Sequence, residues 1–117
     1  MEFFVTSENN QRSFMDAAFK GSTITYSFDF SQWAEENANL TTVTWSVENG
    51  DATIAGETLT SNVASAQVTL PQVGGNIIKV TAATGATATD PVYVTFLEIL
   101  SKDKEIPLTD YHFRSGS

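Results

Sequence analysis

Thr23-Ile24-Thr25-Tyr26-Ser27-Phe28-Asp29-Phe30 alternates a small polar or acidic side chain with a large apolar one at every step. A period of two sends Ile24, Tyr26, Phe28 and Phe30 to one face and Thr23, Thr25, Ser27 and Asp29 to the other. That is the pattern of a β-strand with one face in a core and the other in water. The alternation returns in Thr41-Thr42-Val43-Thr44-Trp45-Ser46-Val47, with Val43, Trp45 and Val47 inward. It returns again from Asn62 to Leu70, where the inward residues Ala64, Ala66, Val68 and Leu70 are mostly small.

The segments between these strands carry turn chemistry. Glu48-Asn49-Gly50-Asp51 contains Asn-Gly, a strong tight-turn signal that predicts a hairpin into Ala52-Thr53-Ile54-Ala55. Gly56-Glu57 ends that short strand, and Thr58-Leu59-Thr60 resumes it. Pro71 interrupts the chain, and Gly74-Gly75-Asn76 reads as a second turn before Ile77-Ile78-Lys79-Val80-Thr81-Ala82. Gly85 to Asp90 is a small-residue turn, and Pro91 can open a strand because its missing N–H is not needed there. The last and longest strand, Val92 to Leu100, is apolar enough on both faces to be covered on both sides or to bend across sheets.

Upstream, Phe3-Phe4-Val5 predicts a short edge strand. Residues 7–21 read as a long connection with one helical turn around Ser13 to Phe19; long connections in small domains are often functional or partner-facing, the favoured alternative being that its aromatics simply cap the core. Ser31-Gln32-Trp33-Ala34-Glu35-Glu36-Asn37 opens on a capping serine with carboxylates close behind, which predicts a short helix near 31–37. Trp33 is expected to plug an end of the core.

Short strands at spacings near ten residues, separated by Gly and Asn turns, point to an all-β, immunoglobulin-like β-sandwich of about seven or eight antiparallel strands, with a closed barrel as the rival. Residues 22–100 form the expected sandwich core, 1–21 an N-terminal strand and connection, and 101–117 a polar C-terminal extension too short for a core of its own. The chain has 117 residues, enough for one core. It contains no cysteine, so packing and not disulfides must hold it.

Composition and motifs exclude several functions. Fourteen acidic against six basic residues give a formal charge of −8, which argues against gripping nucleic-acid phosphates. Met1 to Arg12 lacks the basic start and the roughly 7–15-residue apolar run of a signal peptide, and no segment reaches the ~18 apolar residues of a membrane span. Synthesis in the cytoplasm without a signal peptide is the expectation, with neither nucleic acid nor membrane as partner. His112 is the only histidine, so neither a His-activated nucleophile nor a two-histidine metal site is expected. Glu35 and Glu36 are neighbours on a helix and face different ways. Asp51 and Asp90 lack a set of closely spaced oxygen ligands for calcium. Gly74-Gly75 leads into a strand and not into the helix that a phosphate site needs. No catalysis, cofactor or metal is expected.

Aromatic residues supply the candidate contacts. Tyr26 and Trp45 fall on the inward phase of their strands and are assigned to the core. Tyr93, opposite in phase to Val92 and Val94, is a surface candidate, together with Phe14 and Phe19 in the N-terminal connection. Tyr111, Phe113 and Arg114 stand out in the polar tail. Exposed aromatics of this kind mark protein interfaces more often than glycan sites.

Val43-Thr44-Trp45-Ser46-Val47, Ala52-Thr53-Ile54, Gly56 with Leu59, and Ile78-Lys79-Val80-Thr81-Ala82 follow the order found in bacterial immunoglobulin-like domains, which residues 22–100 resemble. The whole chain, including Phe19-Lys20-Gly21-Ser22-Thr23-Ile24-Thr25-Tyr26, also resembles small virion proteins of tailed bacteriophages, of the fibre-to-tail adaptor type. That resemblance implies a non-catalytic structural protein of the virion, a tail or neck adaptor joining fibres to the tail. Its implied partners are other tail, neck or fibre subunits, and it would be present in several symmetric copies. The ends, 1–21 and 101–117, would act as clasps on neighbours. A capsid-surface decoration protein and a carbohydrate-binding adhesin module are the alternatives.

Overall fold

The computed structural model describes residues 1–5, 13–85, 87 and 89–103. Its elements in chain order are β1 (Glu2–Phe4), β2 (Ser13–Phe19), β3 (Thr23–Asp29), α1 (Ser31–Glu36), β4 (Thr42–Asn49), β5 (Thr53–Thr60), β6 (Val63–Thr69), β7 (Gly74–Ala83) and β8 (Val92–Lys102). They form two four-stranded sheets, ordered β1-β3-β6-β5 and β2-β8-β7-β4. The result is an all-β sandwich with one short helix, as the alternating stretches predict. The pairing is not wholly antiparallel: β1 runs parallel to β3, and β2 runs parallel to β8.

The core lies between the sheets. Ile24 is half-buried and Tyr26, Phe28 and Phe30 are fully buried from β3 onward; Ala64, Ala66, Val68 and Leu70 line β6, and Trp45, Ile78, Val80, Ala82, Leu97 and Ile99 come from the second sheet. Phe28 is the centre of an aromatic cluster, with ring centroids 5.2 Å from Phe3 and from Phe14 and 5.6 Å from Trp45. The small alanines of β6 leave room for these rings, which is how two sheets about 10 Å apart can hold so much aromatic volume.

Several local expectations change. Ser13 to Phe19 is not a helical turn but a strand, with Phe14, Asp16 and Ala18 turned inward and Met15, Ala17 and Phe19 outward. The parallel register with β8, from Ser13↔Phe96 to Phe19↔Lys102, supplies backbone partners that an isolated seven-residue stretch cannot provide for itself. β1 and β2 are thus each an edge strand of one of the two sheets.

Asn49-Gly50 does not close a hairpin, because β4 and β5 belong to opposite sheets and the turn carries the chain between them. Gly50 has φ +97°, and a Cβ there would sit 2.6 Å from the Gly75 carbonyl oxygen, so only glycine fits. The tight hairpin is instead β5 to β6, through Ser61 and Asn62 at φ 50° and 66°, the left-handed pair that two-residue hairpins require. Gly74-Gly75-Asn76 is not a turn but the start of β7. Thr53 to Thr60 is one strand with a bulge between Ala55 and Thr58. β8 neither bends across sheets nor is covered on both faces: β2 and β7 flank its edges, while Glu98 and Leu100 are exposed.

α1 starts where expected, but Ser31 does not cap it. Phe30 occupies the cap position, and Asp29 accepts the Ser31 N–H through Oδ1 at 2.9 Å. Trp33 and Ala34 are the buried residues of this helix. The α1 segment, the β5–β6 turn and the β7–β8 connection share one end of the sandwich, as the registers Asp29↔Val63, Thr42↔Ala83 and Ala83↔Val92 require. In the β7–β8 connection the Asp90 carboxylate accepts both the N–H and the hydroxyl of Thr87, and these bonds hold it below the usual carboxylate range.

Candidate interaction face

The outward side of β2 and β8 carries three of the large exposed apolar side chains among the described residues, Met15, Phe19 and Leu100. Cross-strand register places Ala17, Leu100 and Gly75 in one row, and Met15, Glu98 and Ile77 in the next. Met15 is 74% exposed, Leu100 52% and Phe19 50%. Because Gly75 contributes no side chain, the surface dips there into an open groove of about 280 Å³, lined by Met15, Asn49, Gly75, Ile77, Glu98 and Leu100 among others. That volume is below the ~300–1,000 Å³ usual for small-molecule sites and suits one or two side chains. Glu98 lines its edge, where Ser13 Oγ donates to Glu98 Oε2 at 2.9 Å; in the row beyond Leu100, Lys102 Nζ lies 6.0 Å from the centre of the Phe19 ring.

Two inward anchors fix the outward phase of β2. Phe14 is buried against Phe3 and Phe28. Two residues on, the Tyr26 hydroxyl donates to Asp16 Oδ2 at 2.7 Å, which ties β2 to β3 of the opposite sheet. Burial, then this hydrogen bond, then the charge of Asp16 push the Tyr26 hydroxyl well above its ordinary range. A one-residue slip of β2 would put Met15 and Ala17 into the core and expel Phe14 and Asp16.

Asn76 shapes the end of the groove. Its side chain is buried, and Oδ1 accepts the N–H groups of Asp51 and Ala52, each at 3.1 Å. Its Nδ2 donates to the carbonyls of Gly74 and Ile99, each at 3.3 Å. One side chain thus clamps the sheet-crossing turn onto β7 and β8.

The candidates chosen from sequence do not come together. Phe14 is not at the surface but in the core, because the segment that holds it is a strand whose even-numbered residues face inward. Phe19 lies exposed on the outer face, paired with Lys102. Tyr93 is half-buried towards the other end of the second sheet, its ring 6.0 Å from Phe30 and 5.9 Å from Trp33. Tyr111, Phe113 and Arg114 lie outside the described residues. Sequence reasoning passed over Met15, Gly75, Ile77 and Leu100. The signal was present as phase: Met15, Ala17 and Phe19 alternate with Phe14, and Leu100 alternates with Leu97 and Ile99. Among the described residues, no group of three or more His, Cys, Asp or Glu side chains converges to hold a metal ion, and no helix is long and apolar enough to cross a membrane.

No family model matches the chain, and no curated protein does. Among solved structures, it is similar to a cysteine protease inhibitor from Entamoeba histolytica, with a TM-score of 0.50 and 11% identity over 86% of this chain and 95% of that one. It is also similar to part of a 2,6-sialyltransferase from a Photobacterium species, with a TM-score of 0.50 and 11% identity over 80% of this chain but 18% of that one. The titin M3 domain aligns with a TM-score of 0.45 and 9% identity over 79% of this chain and 91% of that one. At such identities the likeness is one of fold alone, that of an all-β sandwich.

Proposed function

We propose that this chain is a non-catalytic assembly module, a structural protein of a bacteriophage virion that joins tail, neck or fibre components, and that the outer face of β2, β8 and β7 is where it meets a neighbour. The observation that carries the reading is the cluster of Met15, Phe19, Ile77 and Leu100 on one sheet face. Large apolar side chains gathered in register on an exposed face gain nothing in water and gain about 25 cal/mol per Å² when a partner covers them. The sandwich behind them is rigidly cross-braced, as suits a spacer, and the phage setting rests on the resemblance carried by the sequence.

The test is particle incorporation. Met15→Asp with Leu100→Asp places two charges on the face without touching the core. The expected result is that the wild-type chain is found in purified particles by quantitative mass spectrometry, whereas the double variant folds with an unchanged Tm but is missing from them. Incorporation of the variant at wild-type level, or absence of the wild-type chain from particles, would overturn the reading. The copy number from the same measurement separates a tail or neck adaptor from a capsid-surface decoration protein, which would be present in far larger numbers.

A further inference from the structure

The groove and the chain's own C-terminal sequence are complementary, and this deepens the assembly reading on which it rests. We propose that the groove between Met15, Gly75, Ile77 and Leu100 receives the Tyr111-His112-Phe113-Arg114 segment of a second copy of this chain, forming a head-to-tail contact.

Three observations lead there. The first is size and chemistry: the groove is an apolar trough of about 280 Å³ floored by a glycine, too small for a folded partner element but suited to one or two aromatic side chains. A Cβ built on Gly75 meets nothing within 4 Å, so the space above it is open. The second is pattern. Tyr111 and Phe113 are two residues apart, so an extended backbone presents both rings to one side and His112 and Arg114 to the other.

The third is charge and reach. The chain as a whole carries −8, yet Tyr111 to Arg114 contains one of its six basic residues and its only histidine, with no carboxylate. Glu98, exposed at the groove's edge, is the natural partner for Arg114. β8 ends at Lys102, only two residues beyond Leu100, and fourteen residues follow the last described residue, Asp103. Fully extended, the chain from Lys102 to Tyr111 spans at most about 30 Å, a length of chain sufficient for contact with a second copy. Tail and groove are different surfaces, so the contact is heterologous and propagates into a ring or filament unless the symmetry closes it.

The experiment is sedimentation of the full-length chain across a concentration series, with two complementary variants. Gly75→Val fills the groove where space is open, on a strand that accepts a β-branched residue. Tyr111→Ala with Phe113→Ala disables the tail and leaves the groove intact. We expect the full-length chain to self-associate with increasing concentration, and each variant alone to associate roughly thirtyfold or more weakly, as loss of an aromatic hot spot does. Mixing the two variants should restore one contact and give a one-to-one dimer that grows no further. A full-length chain that stays monomeric, whether its tail folds back on itself or awaits another protein, would overturn the inference. So would variants that associate as the wild type does, or a mixture that fails to form the dimer. If the chain is monomeric yet Gly75→Val is still lost from particles, the assembly-face reading stands and only the choice of a second copy falls.

Discussion

The Tyr26 hydroxyl shows how a single side chain can set the orientation of a whole edge strand. Its 2.7 Å bond to Asp16 crosses from one sheet to the other and keeps Met15 and Phe19 turned outward. Because burial and Asp16 raise the hydroxyl's pKa in the folded state, the folded chain retains a proton that the unfolded chain gives up near pH 10. Stability from this residue is therefore complete below pH 10 and is lost as pH rises above it, with a slope of up to about 1.4 kcal/mol per pH unit. Denaturant unfolding of wild type and Tyr26→Phe between neutral pH and pH 11 checks this. The variant should lose the part of the alkaline decline that Tyr26 contributes, and parallel curves would show that the phenol does not titrate differently on folding.

Among elements, the join between the sheets depends on Asn76. Removing its side chain leaves the buried N–H of Ala52 and the adjacent N–H of Asp51 without an acceptor and frees the turn at Gly50. Asn76→Ala is expected to cost about 2–4 kcal/mol in chemical denaturation, and a loss under 1 kcal/mol would mean that the clamp is replaceable. This residue also shows where sequence reading stopped. β3, β4 and β6 were legible because one-face burial writes a period of two into their residues. β2 was not, because its inward face mixes Phe14 with the polar Asp16 and its outward face holds Met15 and Phe19, so neither face stands out by hydropathy. Asn49-Gly50 does make a turn, but a local turn signal carries no information about whether the next strand joins the same sheet. Gly74-Gly75-Asn76 has turn-like composition for a reason other than turning: Asn76 is needed as a buried clamp and Gly75 as a bare floor. The groove was invisible for the same reason, since Met15, Ile77 and Leu100 come from three strands that only the register brings together.

For the whole molecule, the balance is between an apolar face and a large like charge. Copies carrying −8 each repel at long range, and one rim pair between Arg114 and Glu98 offsets little, since exposed ion pairs contribute about 0–1 kcal/mol. Raising ionic strength from about 0.01 M to about 0.15 M shortens the Debye length from roughly 30 Å to roughly 8 Å. Self-association measured by sedimentation should therefore strengthen with salt. Weakening would show that charge attraction, and not apolar burial, holds the copies together.

The parallel pairing of β2 with β8 has a mechanical meaning. The two strands lie side by side near the ends of the chain and point the same way. Tension applied through the two termini first draws β1 from β3; it then pulls β2 backward along its axis and β8 forward along its own, so the bonds between Ser13↔Phe96 and Phe19↔Lys102 are loaded together in shear instead of opening one at a time. The chain would then resist stretching along its length until that whole ladder fails at once.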